Sequence, residues 1–173
     1  MDSFGDEREQ WLAVMPPVAP EVEAARQRIG RVSRLLARVL DRVAAEQGIT
    51  VGDWETLSAV KRAGGSATPT FIAERLSLTS GTVSVRLRRM VAAGLLTQRP
   101  KQADGDARSR PIELTPHGER VWRQATERRV AVEHDYFAAI GQTGLAALNS
   151  ALADVLAELE QDFGIPSPHD ASR

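Results

Sequence analysis

No cysteine occurs among the 173 residues, which excludes disulfides, thiolate metal sites and cysteine-based redox sensing. Long apolar runs are missing too, none approaching the roughly 18 residues that a membrane-spanning helix needs. The acidic start MDSFGDEREQWLAVMPP has no basic segment followed by an apolar one, so it does not read as a secretory signal, and a cytoplasmic chain with no membrane partner is expected. His117, His134 and His169 share no metal-ligand spacing, so neither a metal nor another cofactor is expected. The sequence also lacks a nucleophile matched to a base, carboxylates paired near a histidine, and a glycine-rich nucleotide loop. Its one glycine pair, in AGGSATP, has neither the lysine nor the flanking strand of such a loop, and an enzyme is not expected.

What is present is globular in composition, 42% hydrophobic and 26% charged, with a charge distribution that the net value of −1 conceals. Met1 to Glu74 carries nine basic and eleven acidic residues, Arg75 to Val130 twelve and five, and Ala131 to Arg173 one and seven. From Arg75 to Ala103 there are six basic residues and no acid, the local footprint of a surface that meets phosphates.

Periodicity supplies the elements. Val22, Ala25, Ile29, Val32, Leu36, Val39 and Val43 repeat at 3-4 spacing between Pro20 and Gly48 and predict a long amphipathic helix, widened by Leu35 and Leu40. A short helix from Asp53 to about Arg62 buries Trp54, Leu57, Ala59 and Val60, and AGGSATP ends it as a connection. PTFIAERLSL, with Phe71, Ile72 and Leu76 inward, and TSGTVSVRLRRMVAAG, capped by Thr79 or Ser80, read as a helix-turn-helix. In the second helix Val83, Leu87, Met90 and Val91 share the inner face. LLTQRPK and RPIELT then bracket Gln102 to Ser109 as two short strands, which makes the whole a winged helix. Thr115 and Pro116 start a further helix reaching about Ile140, and after Gly144 the run Leu145, Leu148, Leu152, Val155, Leu156, Leu159 and Phe163 repeats the 3-4 spacing in an acidic helix. The fold class is therefore mainly α with a small β wing. Its divisions are an N-terminal extension over 1–19, partly ordered; a helical dimerisation region over 20–48 and 116–164; a winged helix-turn-helix lobe over 49–115; and a flexible tail over 165–173.

This arrangement assigns DNA contacts by chemistry. Thr79 opens the recognition helix, Ser80, Thr82, Ser84 and Val85 face base edges in the major groove, and Arg86 faces either a base or a phosphate. Arg75, Arg88 and Arg89 meet phosphates. Arg108 and Arg110 stand on the wing, where a guanidinium enters a narrow minor groove, with Asp106 close enough to orient one of them. The end helices expose apolar seams that two-fold pairing would cover, and a symmetric dimer suits double-stranded DNA read as two half-sites. A helical ligand-binding or protein-interaction module, or an enzyme, reusing the fold without operator binding is the other reading; salt-dependent retention on DNA separates the two.

LTSGTVSVRLRRMVAAGLLTQRP and DARSRPIELTPHG together resemble the MarR family of bacterial transcription regulators, over roughly Glu21 to Phe163. Asp106, Arg108, Arg110, Leu114, Thr115, Pro116 and Gly118 follow the family's wing pattern, with Ala107 where many members have another arginine. The resemblance implies a homodimeric, ligand-responsive repressor: an obligate dimer built from the terminal helices, two winged lobes on a palindromic operator, and a cleft for a small-molecule effector. Trp11, Glu55 and Arg86 further resemble the subgroup that answers urate-like or other small anionic ligands, although that subgroup usually has aspartate where Glu55 stands.

Overall fold

Short polar side chains start the helices. Asp2, Thr50, Thr68 and Thr79 each accept from backbone N–H groups of the first turn that follows, and Pro20 and Pro69 fill first-turn positions where no N–H partner is needed. The computed structural model describes residues 2–99 and 110–165. Within them the order is α1 Ser3–Val14, α2 Pro20–Glu46, α3 Val51–Arg62, β1 Ser66–Ala67, α4 Pro69–Arg75, α5 Ser80–Ala92, β2 Leu96–Gln98, β3 Ile112–Leu114, α6 Pro116–Ala138 and α7 Gly141–Asp162. The fold is mainly α with a small β sheet, as the periodicity predicts.

The strands form one antiparallel sheet in the order β1-β3-β2, with Ala67 opposite Ile112 and Leu96 opposite Leu114. β1 is absent from the sequence reading, which makes AGGSATP a plain connection; two residues are too few to show alternation, and β1 exists because β3 offers it a ladder. Leu57 and Val60 of α3, Ile72 of α4, Val83, Leu87 and Met90 of α5, Leu96, Ile112 and Val121 are buried together, so α4, α5 and the sheet share one core. Two side chains depart from expectation. Phe71 is exposed because α4 has under two turns and faces the core with its neighbour Ile72, and Val91 is exposed because Met90 takes the inner position.

α3 and α6 are joined by a reciprocal pair of bonds. Trp54 Nε1 donates to Thr126 Oγ1 and Trp122 Nε1 to Ser58 Oγ, both at 3.0 Å, so each helix supplies a tryptophan and, four residues on, a hydroxyl. A cation lies over each indole, Arg129 5.3 Å from the centre of Trp54 and Lys61 5.2 Å from that of Trp122. Lys61 also holds Glu119 at 3.1 Å, and that hydrogen bond is the main cause drawing the Glu119 carboxyl below its ordinary range.

The N-terminal stretch expected to be only partly ordered contains α1, strapped to α2 by charge. Asp2 pairs with Arg28 and Glu7 with Arg31, each at 2.7 Å, Arg8 pairs with Glu21, and the guanidinium groups of Arg28 and Arg31 lie 5.5 and 5.6 Å from the centre of the buried Phe4 ring. Trp11 Nε1 donates to Glu23 Oε1 at 2.8 Å.

The chain gathers into two compact units, Met1–Val130 and Ala131–Arg173. In the first, Val22, Ile29, Val32 and Leu35 of α2 are exposed; in the second, so are Leu152, Val155, Leu156 and Leu159 of α7 and Phe163 after it. α7 begins at Gly141, one turn before the expected Gly144. Among the described residues no helix is long and apolar enough to cross a membrane.

Candidate nucleic-acid interface

The turn between α4 and α5 passes through Ser77 at φ 52°, and α5 then starts on Thr79. The Thr79 hydroxyl accepts from Thr82 N at 3.2 Å and pairs with the Thr82 hydroxyl at 2.9 Å, while Ser84 Oγ donates back to Ser80 O at 2.8 Å. No acid occupies this first turn, so its free N–H groups and positive dipole end oppose no anion. Val83, Leu87 and Met90 turn inward, which leaves Ser80, Gly81, Thr82, Ser84 and Val85 exposed as a small, neutral surface. The outward aliphatic group of Val85 is the type of side chain that meets a thymine methyl.

The arginines divide into two sets. Arg75, Arg88 and Arg110 are exposed and, among the described residues, make no hydrogen bond or ion pair. Arg86 and Arg89 turn back to α3. Arg86 Nη1 donates to Gly52 O at 3.0 Å and lies 3.5 Å from Thr56 Oγ1. Arg89 pairs with the buried carboxylate of Asp53, which also receives Thr50 N at 3.0 Å and the Thr50 hydroxyl at 2.8 Å. With Gly81, Thr82 and Val85, these two arginines line a shallow recess on the outer side of α5. A third arginine, Arg99, pairs with Glu113 of β3 at 2.8 Å, and its N bonds Pro111 O, tying the roots of the wing together. Asp106 and Arg108 lie outside the described residues.

Trp11, Glu55 and Arg86 each have separate surroundings. Trp11, 38% exposed, is bonded to Glu23; Glu55 is exposed with no side-chain partner among the described residues; Arg86 is bonded to Gly52. The acid that holds an arginine of α5 is Asp53, two positions before Glu55, and the sequence reading passed over it. Its signal was available in TVGD, Thr50 to Asp53, where a threonine followed three residues later by an acid forms a capping box. Glu23 was also passed over: hydrogen bonds from Arg26, then Gln27, then Trp11 hold its carboxyl down to about 2. His117 and His134 are exposed, and among the described residues no acid, histidine and cysteine cluster could hold a metal.

Comparison with known proteins adds three findings. A sequence model of the MarR family matches residues 47–109, a segment that includes α3 to β2. The HTH-type transcriptional regulator PecS of Dickeya dadantii is 28% identical over 149 residues, covering 85% of this chain and 89% of PecS. Two solved structures superpose with a TM-score of 0.64 at 21% identity: a mutant of MarR from E. coli complexed with operator DNA, covering 82% of this chain and 99% of that one, and the organohalide-sensing regulator RdhR-CbdbA1625 in its 2,4-dichlorophenol-bound form, covering 84% and 87%. These likenesses establish the fold.

Proposed function

From the match of a MarR-family sequence model to residues 47–109, we propose that the chain is a sequence-specific DNA-binding transcriptional regulator, a homodimeric repressor that a small ligand releases from a palindromic operator. It acts by binding and not by catalysis, in the cytoplasm. The observation that carries this reading is the outer face of α5: a neutral turn of Ser80, Thr82, Ser84 and Val85, backed by Arg75, Arg88 and Arg110, with no acidic residue from Arg75 to Arg99. Such a face can put small donors, acceptors and a methyl group against base edges while guanidinium groups on either side hold phosphates. PecS is a transcriptional regulator, the MarR mutant is complexed with operator DNA, and RdhR-CbdbA1625 is bound to a dichlorophenol, which supports carrying both DNA and effector binding to this chain. On the wing, Arg108 reads the minor groove with Asp106 orienting it. The effector is small, anionic or aromatic, with Trp11 and Glu55 its first candidates.

The test is retention on duplex DNA across a salt series. Arg75, Arg88, Arg108 and Arg110 from two lobes neutralise roughly 6 to 8 phosphates, so log affinity should fall against log salt with a slope of about −5 to −7. A slope shallower than about −2 would exclude this interface.

A further inference from the structure

Resting on that DNA-binding reading, we infer that Gly52 is a specificity-determining position: its bare Cα is the seat of the Arg86 guanidinium, and the seated Arg86 sets the position of α5 on α3 instead of neutralising a phosphate. Gly52 occupies the second position of α3 and is not among the residues with positive φ, so its backbone does not require glycine. A glycine there weakens the helix relative to alanine. What requires it is space. A Cβ at this position would lie 2.8 Å from Cζ and Nη2 of Arg86 and 3.0 Å from Nη1, closer than a carbon can approach. The same guanidinium donates to the Gly52 carbonyl, which Thr56 Oγ1 also reaches at 2.8 Å.

Arg89, one turn further along α5, pairs with Asp53, the next residue of α3. Two consecutive residues of α3 thus receive two guanidinium groups from successive turns of α5. A single contact would allow α5 to pivot; two contacts fix both its rotation and its height. Base-edge hydrogen bonds from Thr82 and its neighbours need that fixity, because a productive constellation is held to within about 0.5 Å by its supporting contacts. Arg86 is half-buried against α3, whereas Arg88 beside it is exposed and unpaired among the described residues. Arg86 is in this sense a positioning residue, and Arg88 a phosphate contact.

The test compares Gly52→Ala, Arg86→Met and the double variant with the parent, using a duplex that the parent selects from a random-sequence pool and a scrambled duplex of the same composition. The atoms that the added methyl group would meet are the free end of a long side chain, so Gly52→Ala should melt at or above the parent's temperature. Both single variants should bind the selected duplex about tenfold more weakly and the scrambled one unchanged. The double variant should lose no more than either, and the salt slope should stay at the parent's value in all of them. If Gly52→Ala melts early, Arg86→Met carries the comparison, since it keeps the aliphatic stem and removes only the guanidinium. Selected-to-scrambled ratios within twofold of the parent would overturn the inference, as would a slope flattened by about 2 in Arg86→Met, the loss of one phosphate contact per lobe. A parent that shows no salt-dependent binding to any duplex is a different failure, that of the DNA-binding reading itself.

Discussion

Thr115 shows how a wing motif can be a packing device. Its N donates to Leu95 O at 3.1 Å, its hydroxyl donates to Gly94 O at 2.6 Å, and the same oxygen accepts from Gly118 N at 3.0 Å. These bonds press the first turn of α6 onto the chain leaving α5, and Gly118 is buried there. A Cβ on Gly118 would lie 2.0 Å from Leu95 O, a backbone atom that cannot swing aside. Gly118→Ala should therefore cost about 3 kcal/mol by overpacking, a fall of several degrees in thermal melting; an unchanged midpoint would refute the close approach. Thr82 tests the outer face. Thr82→Ala should cost about 1 to 3 kcal/mol on the selected duplex while sparing random DNA, as measured by titration at one fixed salt. An equal loss on both duplexes would make Thr82 a phosphate contact.

At the scale of elements, charge does for α1 what apolar periodicity does for α2. Hydrogen bonds from Arg26, Gln27 and Trp11 hold Glu23 down to about 2 from an ordinary 4.5, and the Arg28 hydrogen bond is the first cause lowering Asp2. A carboxylate lowered in this way contributes stability above its unfolded value and loses it as pH falls toward its folded one. The hold on α1 should therefore weaken between about pH 4.5 and about 2, visible as faster amide exchange in Ser3–Val14 while α5 keeps its protection. Exchange that stays flat across that window would show that Phe4 alone seats the helix. The same contrast explains what could be read beforehand. α2 and α7 repeat apolar residues along most of their length, α3 and α5 carry shorter apolar sets, and α6 is announced by its Thr115–Pro116 start, so their presence and order were legible, as was the antiparallel pair β2 and β3. α1 has little amphipathic pattern, its bonds to Arg28 and Arg31 span 24 residues or more, and no local rule finds them. The outward residues of α5 could be placed by helical geometry. That Arg86 and Arg89 turn back to α3 depends on bonds to residues 34 and 36 positions away, so sequence spacing could only make them candidates for DNA.

For the whole molecule, the exposed apolar residues of α2 and of α7 call for cover, and a second copy of the chain supplies it in the proposed dimer. Leu156→Asp places a charge on the α7 face at a side chain already 54% exposed, so the single chain should still fold. Light scattering should then give a monomer, with binding to the selected duplex reduced at least a hundredfold because only one half-site is held. A variant that stays dimeric would move the interface elsewhere. The tryptophans carry one more consequence, an optical one. Trp11 stands where α1 meets Glu23, Trp54 and Trp122 stand where α3 meets α6, and α5 contains none. The indole emission of the native chain therefore has no reporter within α5 itself and is sensitive to these two junctions. A change in emission when duplex is added would report a rearrangement at one of these junctions, and the bonds of Arg86 and Arg89 to Gly52 and Asp53 give α5 a direct route into the helix that carries Trp54.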